Sequence, residues 1–129
     1  MPGYAGAGQA KLINPTEQKV FWAAETISVG ELSLAWELAR QTSMYYPWGF
    51  SVEVQFSGSP GVFEIDVMGA DTDMAANFVK IGSITAVNAG FVGRADFSNG
   101  GATYAWPRYI ALSVVTFPNA VTASGKVSR

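Results

Sequence analysis

Apolar and polar residues alternate along most of the chain from Val20 onward, a pattern that predicts β-strands. Residues 50–57 show it most clearly, because four apolar side chains alternate there with four polar ones. A period of two places the two kinds of side chain on opposite faces of an extended segment, so this strand is expected to be half-buried. The alternation resumes over residues 63–68, after the glycine-containing connection 58–61. Two strands joined by so short a connection are typical of a β-hairpin, which we predict here.

The remaining strands are predicted from short alternating runs and from one long apolar run. The short strands are expected at residues 78–87, 91–97 and 120–127. Gly82 predicts a β-bulge, because glycine inside a strand often marks one. The long run, residues 104–117, is apolar in both registers, and Arg108 is the only charge between Ala102 and Gly125. A strand with two apolar faces belongs in the middle of a sheet or at a contact between subunits.

Residues 31–40 fit two types of secondary structure. Their sequence, ELSLAWELAR, contains good helix formers, but its three leucines and Trp36 alternate with smaller or polar residues. Four matches out of four at period two favour a strand. Seven or eight strands with turn residues at regular spacing are typical of an antiparallel β-sandwich or jelly roll. We therefore predict an all-β fold, with one sandwich domain over residues 20–129.

Residues 1–19 differ from the rest of the chain in being small, flexible and rich in glycine and alanine. Their large apolar groups are Tyr4, Leu12 and Ile13, which are too few to offset the entropy lost when the segment becomes ordered. We predict an extended N-terminal arm that becomes ordered against a neighbouring chain and can be removed without unfolding the sandwich. The alternative is an arm folded back on its own domain.

The charge composition changes which partners are expected. Charged residues make up 14% of the 129 residues, against about 25% in typical soluble domains, so much of the surface is neutral. Such a surface suits a chain that contacts other chains, and from the long apolar run, residues 104–117, we expect a homo-oligomer, either a dimer or a trimer. Lysine and arginine total 8 against 10 acidic residues and form no basic block. Nucleic acid and anionic membranes are therefore not expected partners, because both attract clustered cations.

The chain contains no cysteine and no histidine. This excludes disulfide bonds, thiol nucleophiles, zinc sites built from cysteine or histidine, and Ser-His-Asp triads. The sequence shows no apolar leader segment and no run of 18 apolar residues, so we expect synthesis in the cytoplasm and no membrane insertion. Carboxylate chemistry and oxygen-ligand metal binding remain open.

A loop of acidic and amide residues is the candidate for metal binding. Asp71, Asp73 and Asn77 place oxygen atoms at positions 1, 3 and 7 of the loop, as Ca²⁺ sites do. The glycine at position 6 and the glutamate at position 12 of a helical calcium loop are absent. The same residue types commonly stabilise turns, so we expect a turn and no metal here.

A pair of carboxylates is the candidate for catalysis. Glu64 and Asp66 lie on one face of a predicted strand, with Glu53 across the predicted hairpin. Paired carboxylates would suit acid–base chemistry such as glycoside hydrolysis. A solvated strand face that meets a lysine or arginine is favoured instead. We expect no enzyme activity and no cofactor.

An aromatic cluster, with Tyr45, Tyr46 and Trp48 as its most prominent members, is the most distinctive local feature. Neighbouring side chains of an extended segment point in opposite directions, so they cannot all enter one core. Core packing, a protein interface and a platform for stacking sugars are all open roles. The other tryptophans are expected in the core: Trp22, Trp36 and Trp106.

Residues 45–73 and 78–90 resemble small structural proteins of tailed bacteriophages, most of all capsid cement or decoration proteins of the jelly-roll type. The resemblance implies a protein without catalytic residues that binds the major capsid protein on the virion exterior, as an oligomer, and stabilises the assembled shell. A tail or connector component and a carbohydrate-binding β-sandwich are the alternatives. The residues expected to contact a partner are Tyr4, Leu12, Ile13, Tyr45, Tyr46 and Trp48.

Overall fold

The computed structural model describes residues 3–13, 17–38, 49–98 and 107–129, which fold mainly into β-strands. The strands are β1 (Lys11–Ile13), β2 (Gln18–Thr26), β3 (Trp36–Leu38), β4 (Gly49–Phe56), β5 (Glu64–Ala70), β6 (Val79–Ile84), β7 (Val92–Ser98), β8 (Tyr109–Thr116) and β9 (Thr122–Ser128). Within these ranges, the one helical element is a short 3₁₀ turn at Ala75–Asn77, between β5 and β6.

The strands form two sheets that pack face to face. One sheet has the order β1-β3-β8-β5-β6 and the other has the order β2-β9-β4-β7. β1 runs parallel to β3, whereas the pairs β2–β9, β3–β8, β4–β7, β4–β9, β5–β6 and β5–β8 are antiparallel. The predicted β-sandwich is confirmed, and its jelly-roll type stays a prediction. β8 lies between β3 and β5, which is the first of the two positions expected for a strand with two apolar faces.

Alternating side chains fill the space between the sheets, as the period of two in a strand requires. β4 directs Phe50, Val52, Val54 and Phe56 into the core, where all four are buried. Trp22 of β2 is fully buried beside them in the same core, as predicted. Each large apolar side chain buried in this way contributes about 1.5–3 kcal/mol to the free energy of unfolding.

The connection between β4 and β5 contradicts the predicted hairpin. β4 pairs with β7 and β9, whereas β5 pairs with β6 and β8 in the opposite sheet. The chain therefore crosses from one sheet to the other through residues 57–63. Phe56 and Phe63 are both buried at this crossing, with ring centroids 5.0 Å apart in an edge-to-face arrangement. Alternation fixes which side chains point inward but not which sheet a strand joins, and the crossing lets both rings enter the core.

Among the described residues of the predicted strand 31–40, Trp36–Leu38 form β3, and Leu32 and Ser33 make isolated bridges. Four residues of this segment show the reverse of the expected burial. Ser33 and Ala35 are buried, whereas Leu32 and Leu34 are only half-buried. Residues 39 and 40 lie outside the described ranges. The reversal arises because the outer face of this sheet is covered as well: Ala35 belongs to a second, smaller apolar cluster there.

Gly82 lies at an irregular position of β6, as predicted. The register of β5 against β6 shifts by one residue between Gly82 and Lys80, which is the signature of a bulge. The Phe97 ring packs so closely over Gly82 that an added Cβ would lie 2.7 Å from it. The close approach of the Phe97 ring from β7 therefore favours glycine at this position.

The described part of the N-terminal segment lies on its own domain. Gly3 forms a bridge with Ser33, and β1 pairs with β3 in a register that places Leu12 opposite Glu37. Ile13 has no exposed surface and belongs to the main core. This corrects the expectation that Ile13 contacts a partner, because its side chain is enclosed by its own chain. The boundary predicted at residue 20 also falls inside β2.

Candidate partner-binding edge

A buried carboxylate holds the N-terminal segment in place. Asp73, in the loop after β5, is only 5% exposed. The Tyr4 hydroxyl donates a hydrogen bond to its Oδ1 at 2.6 Å, and the Ala10 N–H donates to Oδ2 at 2.8 Å. The Gly8 N–H donates to the backbone oxygen of the same residue at 3.2 Å. Three hydrogen bonds from residues 4–10 thus converge on Asp73, and we call this arrangement the Asp73 clasp.

Asp73 therefore binds the N-terminal segment of its own chain. Both of its carboxylate oxygens are occupied by donors from the N-terminal segment. Within the described ranges, no three acidic residues lie close enough together to hold an ion. The loop between Tyr4 and Ala10 can follow its path because Gly6 and Gly8 have φ of +112° and +75°, conformations that L side chains rarely adopt.

A small cavity lies between this loop and the edge of β3. Its volume is about 250 Å³, and its apolar walls are Tyr4, Ala5, Ala10, Leu34, Ala35 and Trp36. The Trp36 side chain is held by a hydrogen bond from its indole N–H to the Val20 carbonyl, at 3.2 Å. The Tyr4 ring packs edge to face on Phe78, with centroids 5.9 Å apart. Both aromatic walls are therefore fixed by neighbouring strands or loops.

An exposed apolar side chain lies on the strand that borders the cavity. Leu12 of β1 is 48% exposed and follows Lys11, which lines the cavity. We call the surface formed by β1, residues 4–10 and Trp36 the N-terminal edge. The sequence pointed to Tyr4 and Leu12 of this surface as contact residues. It placed Trp36 in the core and gave Asp73, which holds the edge in place, only a role in a turn or a metal site.

The structure brings together only part of the predicted interface. Tyr4 and Leu12 lie on the N-terminal edge, and Ile13 lies in the core behind them. Four of the predicted residues lie outside the described ranges. They are Tyr45, Tyr46 and Trp48 of the aromatic cluster, and Trp106, which was expected in the core. No pattern in the sequence connects Tyr4 with Asp73, because the two are 69 residues apart.

The Asp73 clasp should make stability depend on pH in alkaline solution. Burial and the hydrogen bond to the negatively charged Asp73 raise the pKa of Tyr4 to about 12, from about 10 in the unfolded chain. Because the pKa is higher in the folded state, the stabilisation that the Tyr4 hydroxyl provides is complete below pH ~10 and is lost as the pH rises towards ~12. We expect the unsubstituted protein to have a higher free energy of unfolding than Tyr4→Phe at pH 8, and the difference to disappear by pH ~12.

Urea unfolding of both proteins at several pH values measures this difference. The comparison cancels the titration of every other tyrosine and lysine, since both proteins contain them. A difference that stays constant from pH 8 to pH 12 would show that the Tyr4 hydroxyl does not need its proton to hold the clasp.

The predicted carboxylate pair lies on the outer face of the five-stranded sheet and meets a lysine. Lys80 Nζ lies 3.3 Å from Glu64 Oε2 and 3.5 Å from Asp66 Oδ1. Burial and the neighbouring Glu64 raise the pKa of Asp66, whereas hydrogen bonds with Asp66 and Lys80 lower the pKa of Glu64. Glu53, expected beside them, lies on the other sheet instead and pairs with Lys126 at 3.5 Å.

A polar groove crosses the outer face of the four-stranded sheet. Its volume is about 310 Å³, and the polar residues along it are Glu53, Gln55, Ser124 and Lys126. Trp22 also borders the groove but is fully buried, so its ring offers no open face for a ligand to stack on.

No protein-family model, curated protein or solved structure matches the chain. Among the described residues, no helix has the length and apolar character needed to cross a membrane. The proposals that follow therefore depend on the resemblance stated above and on the geometry of the sandwich.

Proposed function

We propose that this protein is a non-enzymatic structural component of a tailed-phage virion, which binds the major capsid protein on the outside of the assembled shell. The resemblance of residues 45–73 and 78–90 suggests this class of protein. The N-terminal edge is the observation that best supports a binding role, because a preformed apolar cavity lies there next to β1, whose Leu12 is exposed. Apolar groups gathered at one surface are typical of contacts between proteins.

Binding would stabilise the shell through linkage. A protein that binds the assembled shell more tightly than its separate subunits adds its binding free energy to the assembled state. The effect is repeated at every equivalent site of the shell. The Asp73 clasp supports this role, since a segment that is already ordered loses little entropy when it binds.

Self-association stays a prediction, but the long apolar run that suggested it no longer supports it. The apolar run that suggested a subunit contact contains β8, which is the central strand of its sheet. Ile110, Leu112 and Val114 face the main core, and Ala111 lies in the smaller cluster on the opposite face. Both faces of β8 are therefore largely covered within one chain.

Carbohydrate binding is the second candidate, and the polar groove supports it. Glu53, Gln55, Ser124 and Lys126 offer both hydrogen-bond donors and acceptors along an open face, as sugar hydroxyls require. The expected platform of Tyr45, Tyr46 and Trp48 lies outside the described ranges. Binding of the isolated protein to a glycan array, with loss of binding in Gln55→Ala, would favour this function over the first.

Co-sedimentation with heads of the phage or prophage that encodes the chain tests the first proposal. We expect the protein to sediment with assembled heads and not to bind soluble capsid subunits. Heads that carry it should disassemble at a higher temperature than bare heads. An absence of binding to assembled heads at micromolar concentrations would contradict the proposal.

A further inference from the structure

We propose that the cavity of the N-terminal edge receives one apolar side chain of a partner protein, and that an adjacent carboxylate of the partner pairs with Lys11. This inference depends on the proposed function, because it names the chemistry by which the edge would recognise its partner. It gives the partner segment two features: a large apolar side chain and a negative charge next to it.

The size and the walls of the cavity select the apolar group. A volume of about 250 Å³ is smaller than the roughly 300–1,000 Å³ of sites for drug-sized ligands. It is suited to a single side chain such as leucine or phenylalanine. The Tyr4 and Trp36 rings stand among small alanine side chains, so an inserted ring would find both aromatic and aliphatic contacts. Buried anchors of this kind contribute most of the affinity of many interfaces.

Lys11 selects the charge of the partner. Among the residues that the structure describes, it is the only charged one lining the cavity, and it lies opposite Trp36 in the β1–β3 register. Within the described ranges, Lys11 has no acidic residue within ion-pair distance. Lys19, which also approaches Trp36, is already paired with Glu17 at 3.2 Å. Lys11 is therefore the cation available to a carboxylate at the mouth of the cavity.

The Asp73 clasp prepares the cavity in advance. It fixes Tyr4 and Ala10, which are two of the walls, by hydrogen bonds of 2.6 and 2.8 Å. Trp36, the opposite wall, is tied to Val20. A partner side chain therefore enters a site whose walls are already ordered, and ordering costs that would otherwise weaken binding are avoided.

Nuclear magnetic resonance titration with N-acetyl-phenylalanine, which carries one ring and one carboxylate, tests the inference on the intact protein. We expect saturable shifts of the Trp36 indole N–H and of the Lys11 amide in the millimolar range. N-acetyl-phenylalaninamide has the same ring without the charge and should bind at least fivefold more weakly. Lys11→Glu should weaken binding of the acid at least fivefold, whereas Arg94→Glu, at an exposed position of β7 in the other sheet, should not change it.

A second variant tests the cavity itself. Ala5 is exposed on the loop, so Ala5→Trp should fill the cavity without disturbing the core and should abolish the shifts. The inference is overturned if Trp36 shows no saturable shift, or if acid and amide bind equally well. Binding of the probe without binding to phage heads would contradict the proposed function alone. Binding to heads that is unchanged in Ala5→Trp and Lys11→Glu would contradict the inference alone.

Discussion

Replacing Ile13 with alanine is expected to lower the free energy of unfolding by about 2–5 kcal/mol, the cost of a large-to-small change in a core. Ile13 is fully buried in the main core although it belongs to a segment that looks like a dispensable arm in the sequence. The substitution removes three methyl or methylene groups and leaves a cavity that the two sheets cannot close. Chemical denaturation measures the change directly.

Leu12→Ala is the matched control for this prediction. It removes a side chain of the same size one residue earlier, but Leu12 is 48% exposed. We expect a cost below about 1 kcal/mol, because much of this side chain is already in contact with water. Equal costs for the two substitutions would show that β1 is not anchored in the core. The same burial predicts that a chain beginning at Val20 is severely destabilised, in contrast to the expectation from composition.

Replacing Asp73 with alanine is expected to cost about 2–4 kcal/mol, since hydrogen bonds to a charged group contribute about 1.5–3 kcal/mol each and a donor left without a partner adds to the loss. The Tyr4 hydroxyl and the Ala10 N–H would both lose their acceptor. We expect hydrogen exchange of the Gly8 and Ala10 amides to become much faster in this variant.

Asp71→Ala controls for the loss of a negative charge from the same loop. Asp71 is exposed, and substitutions at such surface positions usually change stability by less than about 0.5 kcal/mol. If Asp71→Ala and Asp73→Ala destabilise the protein equally, the loop and not the clasp explains the effect. Unchanged amide exchange at Ala10 in Asp73→Ala would also contradict the clasp.

The strands of this fold could be predicted from the sequence because they depend on local alternation. The pattern of β4 follows directly from Phe50, Val52, Val54 and Phe56, which all enter the core. The partner of each strand could not be predicted in the same way. The short connection after β4 looks like a hairpin, yet it crosses between sheets because Phe56 and Phe63 are buried together.

The candidate site was harder to predict because it depends on contacts between distant residues. Tyr4 and Leu12 could be selected as contact residues because large apolar groups are rare in the N-terminal segment. Their neighbours are set by Asp73 and Trp36, which lie far along the chain and have ordinary alternative roles in a turn or a core. Ile13 shows the same limit, since only the parallel pairing of β1 with β3 places it inside the sandwich.

Affinity for assembled phage heads, measured for Leu12→Arg against Val62→Arg, tests most directly whether the N-terminal edge is the binding surface. Both substitutions place a charge at an exposed apolar position, but Val62 lies in the crossing between the sheets and is 85% exposed. We predict that Leu12→Arg, which is expected to fold because Leu12 is exposed opposite Glu37, binds heads at least tenfold more weakly, a loss of about 1.4 kcal/mol or more. Val62→Arg should bind like the unsubstituted protein. Equal affinity of the two variants for heads would contradict the assignment of this edge.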